Sequence, residues 1–320
     1  MESEEQTKDR AEEKADVNLR NKQKITWEKS GKQIQRGAAE DMQILKGAEV
    51  SSAIKERVQE QLAGLKAGIP RLAIVRVGER PDDISYERGA VKKMEAFGLQ
   101  VQCFHYPEDI SNEEFQEEFF KINGDRDVTG ILLFRPLPRQ IREKDIENMI
   151  SPEKDLDGIS PINIAKVFAG DDSGFAPCTA EAVVQVLRHY QIPIEGKRVT
   201  IVGRSMVVGR PLSMLLVKEN ATVTICHTRT RDLPKTCQNG EILVAAAGKA
   251  RMLNQKYVGQ DAVVIDVGIN VDENGKLCGD VELDSISEQA SMATPVPGGV
   301  GAVTTAVLAE HLVRAAIMQS

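Results

Sequence analysis

The feature that most constrains the fold is a repeated alternation of short apolar segments with amphipathic helical segments. Apolar residues recur at helical intervals over 50–64, and a run rich in β-forming residues follows over 71–77. The alternation continues with predicted helices over 85–97 and 112–122 and predicted strands over 100–106 and 130–134. Strands that alternate with helices in this way predict a parallel sheet covered by helices on both faces.

A second alternating unit begins after Pro177. Its first strand, predicted over 198–202, runs directly into a glycine-bearing turn over 203–209. The other predicted elements of this unit are helices over 179–189 and 212–219 and strands over 222–226, 242–246 and 262–267. A strand followed by a glycine turn and a helix is typical of a nucleotide-binding α/β domain.

Charge and length exclude several classes of protein. The 320 residues carry 41 Lys and Arg against 48 Asp and Glu, a net charge of −7, which argues against a basic nucleic-acid-binding surface. The length suits about two domains. We find no uninterrupted apolar stretch of the ~20 residues that a membrane span needs, and the first residues are charged rather than apolar. We therefore expect a cytoplasmic protein that binds neither nucleic acid nor membrane.

The cysteines and histidines are dispersed along the chain. The five cysteines show no C-x-x-C spacing, and the four histidines form no pair at helical spacing. We therefore expect neither a disulfide framework nor a metal site, and interpret the cysteines as small residues in or near the core.

Residues 1–41 differ in composition from the rest. They hold many charged residues and only a few scattered aliphatic ones, too little apolar surface to offset the entropy of ordering. We predict a disordered or loosely helical leader. It is either a partner-binding tail or a dispensable extension, and the second interpretation is favoured.

The glycine turn of the second unit indicates a dinucleotide site. Gly203 and Gly209 would let backbone amides and a helix N-terminus approach a pyrophosphate, although a tight structural turn is about equally consistent with their spacing. The next strand ends without the acidic residue that grips the ribose of NAD. Arg229 follows that strand, and Arg204 lies in the turn, so the pattern favours a 2′-phosphate and hence NADP.

Several motifs together resemble a known family. They are, in order, Lys154-Asp-Leu-Asp-Gly158, Pro177-Cys-Thr179, Gly203-Arg-Ser205, Cys226-His227, Ile265-Asp-Val-Gly-Ile-Asn270, Gly279-Asp-Val281 and Thr294-Pro-Val-Pro-Gly-Gly-Val-Gly301. They resemble the methylenetetrahydrofolate dehydrogenase/methenyltetrahydrofolate cyclohydrolase family over about residues 42–318. The resemblance implies two α/β domains with a cleft that holds the folate, a Rossmann-like second domain that binds NADP, and a homodimer.

The resemblance also implies domain bounds. Residues 42–177 would form the catalytic folate domain and residues 178–302 the Rossmann-like NADP-binding domain. A C-terminal helix over 303–320 would return to the first domain.

The family's functional positions carry over residue by residue. Tyr86 and Asp157 match its active-site tyrosine and its pterin-binding carboxylate, and a carboxylate suits the pterin because it accepts two parallel hydrogen bonds. A helix cap or turn is the alternative role for Asp157. Further substrate-binding positions are Pro297, Gly298 and Gly299. The cofactor-binding positions are Gly203, Arg204, Ser205, Gly209, Thr228 (where the family more often has Ser) and Ile269.

Other positions depart from the family. Ala90 stands where the family has its catalytic lysine, and Phe134 stands where it has a glutamine. Asp83 replaces the serine before Tyr86, and Ala302-Val303 replaces Pro-Met. Lys93 lies one helical turn beyond the lysine position and would need to reach back, so a solvated surface lysine is the favoured interpretation.

These departures separate the two family reactions. Oxidation of 5,10-methylenetetrahydrofolate needs mainly orientation and a dry site, whereas hydration of the methenyl cation needs proton transfer. We therefore expect an NADP-dependent dehydrogenase in one-carbon metabolism with weak or lost cyclohydrolase activity. A fully bifunctional enzyme that forms 10-formyltetrahydrofolate and an inactive folate- or NADP-binding homologue remain as alternatives. A hydroxy- or amino-acid dehydrogenase is disfavoured because no Lys-Asp or His base pair is evident.

Overall fold

The structure is a computed structural model, and it describes residues 41–66 and 68–320. All but the last residue of the predicted leader, 1–41, therefore lie outside the described residues. The first half of the described chain contains four strands and five helices. In chain order these are β1 (Gln43–Ile44), α1 (Gly47–Gly64), β2 (Arg71–Val77), α2 (Pro81–Phe97), β3 (Gln100–Tyr106), α3 (Asn112–Gly124), β4 (Gly130–Leu133), α4 (Glu143–Met149) and α5 (Pro161–Ala169).

The second half contains seven strands, four helices and two 3₁₀ turns. In chain order these are α6 (Cys178–His189), β5 (Arg198–Val202), α7 (Gly209–Lys218), β6 (Thr222–Cys226), α8 (Leu233–Gln238), β7 (Ile242–Ala245), a 3₁₀ turn (Gln255–Tyr257), β8 (Val263–Asp266), β9 (Asn270–Val271), β10 (Leu277–Cys278), a 3₁₀ turn (Leu283–Ile286), β11 (Met292–Ala293) and α9 (Gly301–Gln319).

Two parallel sheets form the framework. The smaller has the order β3-β2-β4, and the larger has the order β1-β11-β8-β7-β5-β6. The α/β class and the parallel pairing predicted from the alternation are confirmed. Strands β2, β3, β5 and β6 have the predicted bounds. Strands β4, β7 and β8 are buried along their whole length, as parallel strands covered on both faces must be.

Helix ends show where sequence patterns were less informative. Helix α2 begins at Pro81 rather than at residue 85, because proline at the first helical position has its φ already set and needs no N–H partner. The last residue of the same helix is Phe97. Gly98 follows it as the C-cap, with a left-handed φ of 85°. Helix α3 begins where predicted, because Ser111 and Glu114 form a capping box there.

One short strand crosses between the predicted domains. β1 pairs with β11, with Gln43 opposite Met292, and so belongs to the larger sheet. The sequence analysis placed these residues in the first domain and predicted no strand, because two residues carry no readable periodicity. Residues 41–320 form one compact unit.

The C-terminal helix crosses in the opposite direction. Helix α9 packs against α1, α2 and α6, and Glu310 on it forms an ion pair of 2.9 Å with Arg57 on α1. Within the described part of the chain, α9 is the helix whose length and composition would suit a membrane span, but 61% of that stretch is buried inside the protein. Its apolar character is therefore accounted for by packing.

His311 on α9 connects the helix to the segment that carries Asp157. Its Nδ1 lies 2.8 Å from the carbonyl oxygen of Leu156, which only accepts, so Nδ1 carries the proton. Burial, with the nearby charge of Arg314, lowers the pKa of His311 from 6.5 to about 4. The ring is therefore neutral in the folded protein at ordinary pH.

We predict that this histidine makes the protein acid-sensitive. Between pH 6.5 and about 4 the unfolded chain protonates His311 while the folded protein does not, so the free energy of unfolding falls as pH falls. In His311→Gln this contribution, about 1.4 kcal/mol per pH unit, should be absent. Urea unfolding of both proteins at pH 7 and pH 5 measures it. Parallel pH dependences would contradict the assignment.

Candidate functional site

A cavity of about 330 Å³ lies at the carboxyl end of β4 and is lined by both halves of the chain. Two predicted site residues, Tyr86 and Asp157, face it together. The remaining lining residues are Asp82, Asp83, Leu132, Leu133, Phe134, Arg135, Cys178, Thr179, Val207, Thr304 and Leu308. Because they come from α2, β4, α6, α9 and the turn before α7, the cavity exists only when the two halves are assembled.

A larger cavity, of about 580 Å³, lies among α1, α6 and α9. Its lining is dominated by charged side chains, including Arg57, Glu181 and Arg188, several of which pair with one another or with neighbours. None of the predicted site residues lines it. We therefore take the smaller cavity as the candidate active site.

Tyr86 presents a neutral hydroxyl to the site. The residue is 41% exposed, and its ring packs against Phe134 with a centroid distance of 5.5 Å. Desolvation raises the pKa of the hydroxyl far above its ordinary value, and the neighbouring Cys178 and Asp157 add to the effect, while a hydrogen bond with Thr305 opposes it. The hydroxyl is thus suited to hydrogen bonding and to orientation, not to acting as a base.

Asp157 both holds the start of a helix and lines the cavity. Its Oδ1 accepts a hydrogen bond of 2.8 Å from the backbone N–H of Cys178, the first residue of α6. The carboxyl therefore caps that helix while lining the cavity. Burial raises its pKa, and the Cys178 hydrogen bonds and the Arg135 charge act against the rise. A carboxylate that is shielded from water forms strong hydrogen bonds with N–H groups.

The neighbours of Asp157 in the motif have structural roles. Asp155 is buried and accepts hydrogen bonds from the backbone N–H groups of Ile159 (2.9 Å) and Ser160 (2.8 Å). Gly158 has a φ of 61°, and a Cβ there would lie 2.4 Å from the carbonyl oxygen of Phe175. Asp155 and Gly158 fix the turn, and Asp157 is the carboxylate that faces the cavity.

Ala90 and Lys93 occupy different environments. Ala90 is 1% exposed and belongs to the core. Lys93 is partly buried, and its Nζ donates a hydrogen bond of 2.6 Å to the carbonyl oxygen of Ala302. Desolvation lowers its pKa. The interpretation as a solvated surface lysine is therefore wrong: the amine joins α2 to the start of α9, and it does not line the cavity described above.

The thiol beside Asp157 is not a nucleophile. Cys178 is buried, and desolvation with the charge of Asp157 raises its pKa well above the ordinary value. A neutral, buried thiol is unreactive. This agrees with the prediction that the cysteines serve in packing.

The predicted dinucleotide residues gather at one edge of the larger sheet. Gly203 follows β5, Thr228 follows β6 and Ile269 follows β8, and the carboxyl ends of parallel strands meet at the same edge. Ile269 is 67% exposed, and Arg204, Ser205 and Thr228 are also exposed. These side chains are free to meet a ligand laid across the strand ends.

The glycine turn permits an unusually close backbone approach. Gly203 has a φ of 145°, and a Cβ there would lie 2.1 Å from the carbonyl oxygen of Ala246. A Cβ at Gly209 would lie 2.1 Å from the carbonyl oxygen of Gly203 itself. Ser205 closes the turn by accepting a hydrogen bond of 3.1 Å from Val208 N–H. The turn therefore leads directly into the N-terminus of α7, where backbone N–H groups can bind a pyrophosphate.

Two buried aspartates support this edge, and the sequence analysis assigned them no role. Asp280 is 0% exposed and accepts hydrogen bonds from the backbone N–H groups of residues 247–249, at 2.6, 3.0 and 2.8 Å. Asp266 accepts from Gly268, Asp280 and Val281. Burial raises the pKa of Asp266 to about 6 despite these bonds. Asp266 lies in the motif over 265–270 and Asp280 in the motif over 279–281. In the sequence, only the glycines beside them indicated a tightly packed backbone.

The predicted substrate positions Pro297, Gly298 and Gly299 lie in the loop between β11 and α9. Gly298 accepts a hydrogen bond of 2.8 Å from Gly47 N–H at the start of α1. None of the three lines the cavity that contains Tyr86 and Asp157. The structure thus places them beside the first turn of α1.

Comparison with known proteins agrees with this geometry. A model of the tetrahydrofolate dehydrogenase/cyclohydrolase catalytic domain matches residues 45–157, and a model of the NAD(P)-binding domain of the same family matches residues 177–320. The chain belongs to this family. The "Bifunctional protein FolD" of Clostridioides difficile strain 630 is 51% identical over 280 residues, which cover 87% of this chain and 98% of the relative.

Solved structures give the same result. The bifunctional FolD methylenetetrahydrofolate dehydrogenase/cyclohydrolase of Campylobacter jejuni has a TM-score of 0.84 and 38% identity, covering 87% of this chain and 100% of that one. The Trypanosoma brucei enzyme, solved with NADP cofactor and an inhibitor, has a TM-score of 0.82 and 31% identity, covering 88% and 99%. The predicted two-part α/β architecture is thereby confirmed.

We predict that Asp280 is required for dinucleotide binding. Asp280→Asn should place an amide N–H group against backbone donors, lower the free energy of unfolding by about 2 to 3 kcal/mol and weaken dinucleotide affinity. Urea unfolding and a fluorescence titration with the dinucleotide measure both effects. Asp284→Asn, an exposed aspartate on the nearby 3₁₀ turn, is the control. Unchanged affinity in Asp280→Asn would refute the role.

Proposed function

We propose that the protein oxidises 5,10-methylenetetrahydrofolate to 5,10-methenyltetrahydrofolate with NADP as hydride acceptor. The observation that carries the proposal is the joint exposure of Tyr86 and Asp157 in one cavity assembled from both halves. Membership of the family supports the chemistry. The glycine turn at Gly203, whose backbone packs directly on Ala246, and the exposed residues at the neighbouring strand ends suit a dinucleotide.

The residues of the site supply binding and orientation. Asp157 accepts hydrogen bonds from the amino and ring N–H groups of the pterin, while Tyr86 and Phe134, packed on each other, offer it a single aromatic surface. When bound, NADP accepts the hydride that leaves the methylene carbon. The lone pairs of the folate nitrogens stabilise the resulting methenyl cation, so no protein base has to remove a proton. Neutral Tyr86 and neutral Cys178 agree with this demand.

The preference for NADP over NAD rests on charge. Strand β6 ends without an acidic residue, and Arg204 and Arg229 are exposed close to the strand ends. A guanidinium suits the extra 2′-phosphate because it forms bidentate hydrogen bonds. The NADP-bound Trypanosoma relative supports the same choice.

We predict that Arg204→Ala raises the KM for NADP by about 10- to 100-fold and leaves the KM for NAD nearly unchanged. The physical reason is that only NADP loses a charge-assisted hydrogen bond. Steady-state kinetics with each dinucleotide measure the difference. The control variant is Arg126→Ala, at an exposed arginine between α3 and β4. Equal losses for NADP and NAD would contradict the assignment.

Two observations bear in opposite directions on the hydration step, the second of the family's activities. The relatives at about 50% identity carry the name "bifunctional", which favours a bifunctional enzyme. In this chain Ala90 is buried in the core and Phe134 packs on Tyr86. Neither side chain transfers a proton. We propose a competent dehydrogenase with weak cyclohydrolase activity, and the bifunctional enzyme is the second candidate.

A comparison of two lysine variants separates these candidates. We predict that purified protein forms NADPH from methylenetetrahydrofolate, while methenyl product decays at close to the spontaneous rate. Lys93→Met should leave that decay unchanged. Brisk decay that is lost in Lys93→Met but kept in Lys92→Met, at the exposed neighbour, would establish the bifunctional enzyme instead. Absence of NADPH formation would leave the inactive homologue as the answer.

The remaining expectations follow from the family. We propose that residues 42–177 and 178–302 act as folate and NADP domains, with residues 303–320 returning to the first. We also propose a homodimer in the cytoplasm, without nucleic-acid or membrane partners. Analytical ultracentrifugation of the full chain measures the oligomeric state.

A further inference from the structure

Three side chains with metal-binding atoms meet between α2 and the three-stranded sheet, and none of them lines the cavity that contains Tyr86 and Asp157. They are Glu87 on α2 and Cys103 and His105 on β3, the edge strand of the three-stranded sheet. Cys103 and His105 are two residues apart on a strand, so their side chains share a face. One oxygen, one sulfur and one nitrogen atom of the group lie within 4.8 Å of one another.

The distances are close to those of a tetrahedral centre. Nε2 of His105 lies 3.0 Å from Oε1 and 2.9 Å from Oε2 of Glu87. In a zinc site the ligand atoms stand about 3.3 to 3.6 Å apart, given bonds of 2.0–2.3 Å. The oxygen–nitrogen distances are thus slightly shorter than this spacing, and the sulfur lies within 4.8 Å of both atoms, so the three groups would have to adjust to take up an ion.

A buried arginine holds the carboxylate in place. Nε of Arg76 lies 3.1 Å from Oε2 of Glu87, and both side chains are almost fully buried. Arg76 also donates to the carbonyl oxygen of Gly78. Such a partner orients a ligating carboxylate through one oxygen and leaves the other to face the ion. Because Arg76 offsets the charge of Glu87, the group is stable without an ion as well.

The group is accessible from solvent. The His105 side chain is 49% exposed, and Cys103 is partly exposed, unlike the other four cysteines, which are buried. An ion can thus reach the thiol and the imidazole directly. Three protein ligands leave one coordination position for water.

We propose that Glu87, Cys103 and His105 bind a thiophilic divalent cation, zinc by preference, with a water molecule as the fourth ligand. Sulfur and imidazole ligands select zinc over magnesium or calcium. On binding, the Cys103 thiol releases its proton to solvent, and the proton on Nε2 of His105 is lost to solvent while Nδ1 carries the ring's proton. Nε2 and a Glu87 oxygen then each bond to the ion in place of their hydrogen bond. The ion would fasten β3 to α2 next to Tyr86. This proposal does not depend on the proposed function.

Cobalt is the probe for the test, because a thiolate–cobalt bond gives a near-ultraviolet charge-transfer band. The reduced, tag-free full chain is titrated with Co²⁺, and zinc is then added to displace it. We expect one equivalent per chain, bound with micromolar or tighter affinity. Cys103→Ser and His105→Gln should each weaken binding by at least about tenfold. The controls are Cys278→Ala and His189→Gln, which should bind as the wild type does.

Thermal unfolding with and without zinc is the second measurement. Zinc should raise the melting temperature of the wild type and of both controls, and at the same concentration should raise that of His105→Gln by less. Since His105 is half exposed, this variant keeps the test valid even where Cys103→Ser folds poorly. A wild type without the cobalt band, or a Cys103→Ser protein that retains it, would overturn the proposal.

Discussion

The contact on which the site depends is the return of α9 to the first half of the molecule. This helix packs against α1, α2 and α6, and His311 on it binds the carbonyl oxygen of Leu156, the residue before Asp157. Asp157 in turn accepts from the first N–H of α6. Two hydrogen bonds thus fix the carboxyl between a helix of the C-terminus and a helix of the middle of the chain, while Thr304 and Leu308 of α9 line the cavity.

A second recurring device is the buried aspartate that collects backbone amides. Asp155 orders the turn around Asp157, Asp280 orders residues 247–249, and Asp266 connects the end of β8 to residues 280–281. Buried carboxylates of this kind are costly unless several N–H groups satisfy them, and here they are satisfied. Loops that carry no regular structure of their own are in this way held rigidly enough to position the exposed residues beside them.

Much of the framework could be predicted from the sequence, because β2 and β5 are apolar runs, and β3 and β6 are short runs of β-forming residues with clear ends. Strands of two residues, such as β1 and β11, could not, because their pairing depends on distant parts of the chain. At the site, motif matching predicted the positions of Tyr86 and Asp157. The environment of Lys93 was predicted wrongly, because its partner is a backbone carbonyl 209 residues away. The sequence predicted no metal site. A spacing of two residues, as between Cys103 and His105, places side chains on one face of a strand but not of a helix.

The chain crosses between its two halves twice. β1, near the start of the described chain, joins the larger sheet, and α9, at the end of the chain, packs against helices of the first half. Each half holds an element that belongs by sequence to the other end of the described chain. If the protein were divided near residue 177, each fragment would therefore expose to solvent the apolar surface that the other fragment now covers. Neither fragment would be expected to fold alone. The two halves therefore cannot separate widely without breaking the β1–β11 pairing or the contacts of α9 with α1 and α2.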